Sequence, residues 1–204
     1  MNSRVLIILF IAVSILIFGF TSKSDWDTKC ENENIKLQYR WVKGQNDNEL
    51  REFRAVMKVS SNVSAIIRNL NEEVQLEQWL ANSKLCKIYK KTDKQWITYT
   101  YFDIPKPFKQ QDLVLKHTII VENEIIKIQL EPLPDYLPRL NNVTRLDEYN
   151  GYWLIIPKDN NQFQIEFYYL SKKKPVLPRF IIDPILQAIL LESFSKFIQL
   201  SEAA

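Results

Sequence analysis

Glycine is scarce, at three residues in a chain of 204. A loop that cradles phosphate needs several glycines close together, so nucleotide and dinucleotide folds lose their signature. Histidine occurs once, as His117, and cysteine twice, as Cys30 and Cys86. With one imidazole and no Gly-x-Ser-x-Gly stretch, a Ser-His-Asp triad has nothing local to rest on. A zinc site from His117 and the two cysteines has none of the usual ligand spacing. No catalytic residue, cofactor or metal is expected. An excess of one charge is also lacking: 27 Lys and Arg stand against 24 Asp and Glu, a net of +3. That balance does not call for nucleic acid, and it helps approach to an anionic membrane only where basic residues cluster. One such cluster is Lys172 to Lys174, read either as a solvated turn or as a transient contact with anionic headgroups.

Apolar residues are plentiful, at 46% of the chain with 12% aromatic. That is enough for one domain with a substantial core, and a monomer is expected. Val5 to Phe20 is an apolar run behind a positively charged start. It suits a signal-peptide core and falls short of the roughly 20 residues of a spanning helix. No cysteine adjoins it, which excludes a lipoprotein signal. Residues 1–24 are expected to export the chain to the periplasm or beyond, or alternatively to anchor it in a membrane. Residues 25–204 form the domain. In an exported chain an even cysteine count permits a Cys30–Cys86 disulfide; two separate buried thiols are the other reading.

Period two dominates after Asp25. In "IKLQYRW", Ile35, Leu37, Tyr39 and Trp41 share one face. In "ELREFRAVMKV", Phe53, Ala55, Met57 and Val59 do the same, so the two stretches form a hairpin. The period then changes: Ser61 or Asn62 caps a short helix through Arg68, and a second helix runs from about Glu72 to Leu80. Strands are predicted near 85–91, 95–102, 112–122, 124–130, 149–156 and 162–170. "PLPDYLPRLNN" (132–142) is an ordered loop or lid. The last helix runs from about Arg179 to Leu200 with Pro184 near its start. Its apolar arc covers well over half its circumference, more than packing on one sheet face needs. The sheet is antiparallel and curls around that helix. The glycosylation patterns at Asn62 and Asn142 are read as chance.

Five stretches, in order, resemble a START (StAR-related lipid transfer) domain of the helix-grip superfamily. They are "DWDTKCENENIKLQYRW", "EFRAVMKVSSNVSAIIRNL" closed by Trp79, "IPKPFKQQD", "GYWLIIP" and "LPRFIID". The resemblance implies an α+β helix-grip fold that opens on a short helix carrying Trp26. It also implies an internal apolar cavity for a lipid or other hydrophobic small molecule. Gln111 stands where the family has Arg before Asp112, which puts a salt bridge at that turn in doubt. Pro105 and Pro107 end one strand and fix a crossover.

His117 shares a face with Leu113, Leu115, Ile119 and Val121, and it lies six places beyond Gln111. The resemblance implies a polar handle in the cavity. The residues alone favour a core histidine satisfied by a neighbour such as Tyr99 or Tyr101, because a lone buried histidine is more often structural. The ligand-facing set is Met57, Tyr99, Tyr101, Leu115, His117, Ile119 and Phe167 from the sheet, with Ile182, Leu186 and Ile189 from the helix. Binding and transport of a hydrophobic ligand is the leading expectation. A helix-grip enzyme, cyclase-like or hydrolase-like, acting on a polycyclic substrate, or a ligand-free interaction domain, remain alternatives.

Overall fold

The computed structural model describes residues 26–44, 49–104, 108–171 and 178–203. The apolar run at 5–20, Pro105, Pro107 and the lysines at 172–174 lie outside them. The elements, in order, are β1 (Asp27–Glu31), β2 (Ile35–Lys43), β3 (Glu49–Ser60), α1 (Val63–Asn71), α2 (Glu73–Trp79), β4 (Ser83–Tyr89), β5 (Gln95–Phe102), β6 (Gln110–Glu122), β7 (Ile125–Pro132), β8 (Val143–Leu146), β9 (Tyr149–Pro157), β10 (Gln162–Ser171) and α3 (Arg179–Glu202). The described residues form a curved, ten-stranded, open sheet with a long C-terminal helix, the α+β helix-grip architecture expected. The strand order is β1-β2-β3-β10-β9-β7-β6-β5-β4, with β8 beside β6. Among the described residues no helix is long and apolar enough to cross a membrane.

The turns show how a chain poor in glycine folds this sheet. Asn123 and Glu124 both take positive φ between β6 and β7, and Asn160 and Asn161 do so between β9 and β10. Paired positive φ is what a tight hairpin with native twist requires, and asparagine tolerates it best after glycine. Gly151 answers a different need. A Cβ there would lie 2.6 Å from the Tyr168 carbonyl oxygen on β10, so a side chain would force β9 away.

The helices follow local rules. The Ala65 N–H donates to Asn62 Oδ1 at 2.9 Å, capping α1. Glu77 and Glu73 on α2 accept from the N–H groups of Cys86 and Ile88, each at 2.9 Å. These carboxylates cover edge strand β4, whose donors would otherwise invite pairing. Trp79, Phe197, Phe194, Trp153, Ile165 and Met57 lie in one core between α2, α3 and the inner sheet face.

Four expectations need correction. The opening segment is strand β1, paired antiparallel with β2, not a helix. Trp26 packs edge-on against Tyr168 at 6.0 Å and under the Arg40 guanidinium at 4.5 Å, so it buttresses the sheet's outer face. Cys30 and Cys86 are free thiols. They sit on β1 and β4, the two ends of the strand order, and Cys86 Sγ is occupied with Thr100 Oγ1. The third is an omission: strand β8, which was not predicted, follows the 132–142 connection and pairs parallel with the start of β6.

The fourth correction concerns β5. Tyr99 and Tyr101 do not face the main core. With Ile97 and Val114 they form a second cluster, covered by Leu133, Tyr136 and Leu137. The proline-rich loop folds over the outer side of β5 and β6, so both faces of β5 are buried. The inner face carries Trp96, Thr98 and Thr100 instead.

Candidate functional site

Two adjoining chambers lie between α3 and the sheet. The larger, about 330 Å³, is walled by β5, β6, β9, α2 and the middle of α3. Leu113, Leu115, Trp79, Trp153, Leu186 and Phe194 are among its lining residues. The smaller, about 140 Å³, is bounded by Leu37, Phe53, Ala55 and Ile189. Phe167, Tyr169, Leu186, Leu190 and Phe194 belong to both linings, so these side chains form the partition. The combined space falls within the range of small-molecule sites.

The walls are aromatic and rigidly set. Trp153 stands edge-on to Trp79 at 5.9 Å and leans on Phe167 at 4.7 Å. The Trp79 indole N–H donates to the Asn69 carbonyl at 2.8 Å, which leaves the ring as an apolar wall. The polar side chains among the larger chamber's lining residues, apart from the tryptophans, are hydroxyl-bearing: Thr98, Thr100, Ser193, Tyr149 and Tyr169. Burial pushes the Tyr149 phenol well above its ordinary range, so it stays protonated. Among the described residues, none that lines the larger chamber carries charge.

Of the sequence-predicted residues, Leu115, Phe167 and Leu186 line the larger chamber and Ile189 the smaller. Met57 is fully buried in the core, and Ile119 packs against it. Ile182 is half-buried on α3. His117 is on the inner face, as its alternation predicts, but it does not line either chamber. Its ring stacks on Trp96 with centroids 4.8 Å apart, and its Nε2 shares a 2.9 Å hydrogen bond with Thr98 Oγ1. Neither tyrosine partner was needed. Burial pushes the imidazole down to about 3, so it is neutral. Sequence reasoning missed Thr98, Thr100 and Trp153. The alternation of β5 held the first two, but the tyrosines looked the more apolar.

The two sides of the cavity are held differently. Arg145 from β8 donates to both oxygens of Asp112, at 2.7 and 2.8 Å, and to the carbonyls of Pro134, Leu137 and Pro138. A salt bridge does exist at this turn, and its arginine lies 33 residues downstream. It pins the 132–142 loop. The C-terminal end of α3 is also tied: Asn69 donates to Ser201 Oγ at 2.8 Å, and Ser61 Oγ to the Ser201 carbonyl. The first turns of α3 are more exposed. Phe180 is 80% exposed, and Ile181 and Ile185 are also exposed. Arg51 holds this end by donating to Asp183 at 2.7 Å, and Arg179 stacks over Trp41.

No protein-family model matches the chain. An uncharacterized protein of Pseudomonas aeruginosa is 22% identical over 184 residues, 85% of this chain and 89% of its own length. Among solved structures, the STAR-related lipid transfer protein of Xanthomonas axonopodis superposes with a TM-score of 0.75. It is 20% identical, over 86% of this chain and 98% of that one. Human StAR-related lipid transfer protein 5 gives a TM-score of 0.67 at 12% identity, over 96% and 94%. The chain has the START-like helix-grip fold of these structures.

Proposed function

We propose that this domain binds one neutral hydrophobic molecule, a lipid or lipid-like compound, beneath α3, and carries it as a monomer between membranes outside the cytoplasm. The observation that carries the reading is the uncharged, aromatic and aliphatic wall of the 330 Å³ chamber. Each methylene moved from water into such a wall contributes ~0.8 kcal/mol, so tight binding needs few polar contacts. The START-like fold, shared with lipid transfer proteins, supports the same conclusion. Export, or anchoring, is attributed to residues 5–20 on their sequence alone.

Entry is assigned to the first turns of α3. The 132–142 loop is pinned by Arg145, whereas this end of α3 is held chiefly through Arg51 and Asp183. Its exposed Phe180, Ile181 and Ile185 suit brief contact with a membrane during exchange. Binding is favoured over turnover because the only imidazole is set behind the wall and, among the described residues, no carboxylate, amine or thiol lines the larger chamber.

Native mass spectrometry of the protein purified without detergent tests the reading. A single neutral adduct, released on denaturation and recovered by organic extraction, is expected. A bare protein mass that stays bare after incubation with vesicles carrying neutral lipids, a diacylglycerol and a sterol, would defeat it.

A further inference from the structure

β5 presents two threonines, Thr98 and Thr100, to the larger chamber. Thr100 Oγ1 accepts from the Cys86 thiol at 3.9 Å, a weak contact. Thr98 is built in more firmly. Its hydroxyl lies 2.9 Å from Nε2 of His117, and the His117 ring is clamped flat against Trp96, 12° from parallel. Trp96 and His117 are direct cross-strand partners, so the backbone register fixes this stack. The stack and the hydrogen bond orient the imidazole, and the β-branched Thr98 has few rotamers of its own.

The proton inventory points one way. The imidazole is neutral and therefore carries one N–H. Among the described residues, His117 Nδ1 is buried without a hydrogen-bond partner. If Nδ1 held the proton, a donor would be orphaned in the core, which proteins tolerate less well than an unused lone pair. The proton accordingly belongs on Nε2, where it is donated to Thr98 Oγ1. Thr98 then accepts from behind and keeps its own O–H for the cavity side.

We infer that Thr98, positioned by His117, is the polar anchor of the cavity, donating to a hydroxyl or carbonyl oxygen on an otherwise apolar, uncharged ligand. This rests on the ligand-binding reading above and narrows it. Hydrocarbons that carry no oxygen and permanently charged headgroups are poor matches to the larger chamber; uncharged alcohols, phenols and ketones of hydrophobic shape are good ones.

Carvacrol and cymene differ by a single phenolic hydroxyl and serve as probes. Binding is read from the fluorescence of Trp79 and Trp153 in the chamber wall. The parent should bind carvacrol about tenfold more tightly than cymene, the equivalent of one net hydrogen bond. Thr98→Val should erase that preference and leave cymene affinity unchanged, while Thr98→Ser should keep it. His117→Phe, which preserves the stack on Trp96, should weaken the preference severalfold. An unchanged preference in Thr98→Val overturns the inference, and so does an equal loss in Thr100→Val. If cymene binds the parent as well as carvacrol does, the anchor fails and the cavity reading stands. If neither compound binds, the cavity reading fails and takes the anchor with it.

Discussion

Asp112 and Arg145 meet as a two-pronged ion pair in which each side chain is 1% exposed, 33 residues apart in the chain. The pair joins β6 to β8 across a parallel contact and lends three donated hydrogen bonds to the loop that roofs Tyr99. The desolvation of both charges is offset by this full set of partners, so removing either partner leaves a buried charge exposed to the core.

Arg145→Met should therefore destabilise the domain by about 3–5 kcal/mol, seen as a lower denaturation midpoint in urea. The double change Asp112→Leu with Arg145→Met should cost less than the single one, because no unpaired charge remains. Equal midpoints for parent and Arg145→Met would show that the pair does not hold the loop.

His117 makes stability depend on pH. Its folded pKa, about 3, lies below the ordinary 6.5, so between those values the unfolded chain takes up a proton that the folded chain refuses. This contribution is fully present above about pH 6.5 and is lost as pH falls toward 3. From pH 7 to pH 5 the loss from this one group is about 2 kcal/mol. In His117→Phe the fall in stability over the same interval should be shallower by that amount. Parallel pH curves for the two proteins would show that His117 titrates normally in the fold.

Leu186 faces both chambers. In Leu186→Trp the indole should occupy ligand space, shift stability by less than about 1 kcal/mol and abolish ligand uptake. A loss of ~1–3 kcal/mol, the signature of overpacking, would mean that the region is filled core.

The two thiols should behave differently. Cys86 is fully buried and desolvation pushes its pKa up to about 11, so it should resist an aromatic disulfide reagent until the protein unfolds. Cys30, on the edge strand, should react in the native state. Two thiols per chain are expected in denatured, unreduced protein, and none would restore the disulfide.

If residues 5–20 direct export, the protein recovered from its own host should begin near Asp25. An intact Met1 in the membrane fraction would favour an anchor instead. An intact Met1 in the soluble cytoplasmic fraction would end the export reading.

Much of the fold was legible in the sequence because burial on one face leaves a period. The Ile35–Trp41 and Phe53–Val59 alternations, the cap at Asn62 and the long apolar arc from Arg179 gave the hairpin, the helix pair and the closing helix. β1 was missed because its five residues, Asp27 to Glu31, are mostly exposed and polar. β8 was missed because four residues after a proline-rich loop carry no readable period.

The candidate site was legible only in part, and β5 shows why. "QWITYTYF" alternates threonine with tyrosine, and the larger aromatic side chains are the natural choice for an inner face. That choice assumes that one face of the strand meets water. In the folded chain the 132–142 loop, pinned by Arg145, covers the outer face, so the tyrosines are buried there and the threonines look into the cavity. Local sequence determined which residues share a face, because the pleat fixes that strand by strand. Which face became the cavity wall, which hydroxyl met His117 and which arginine met Asp112 were decided by contacts between segments distant in the chain, and no local period encodes those.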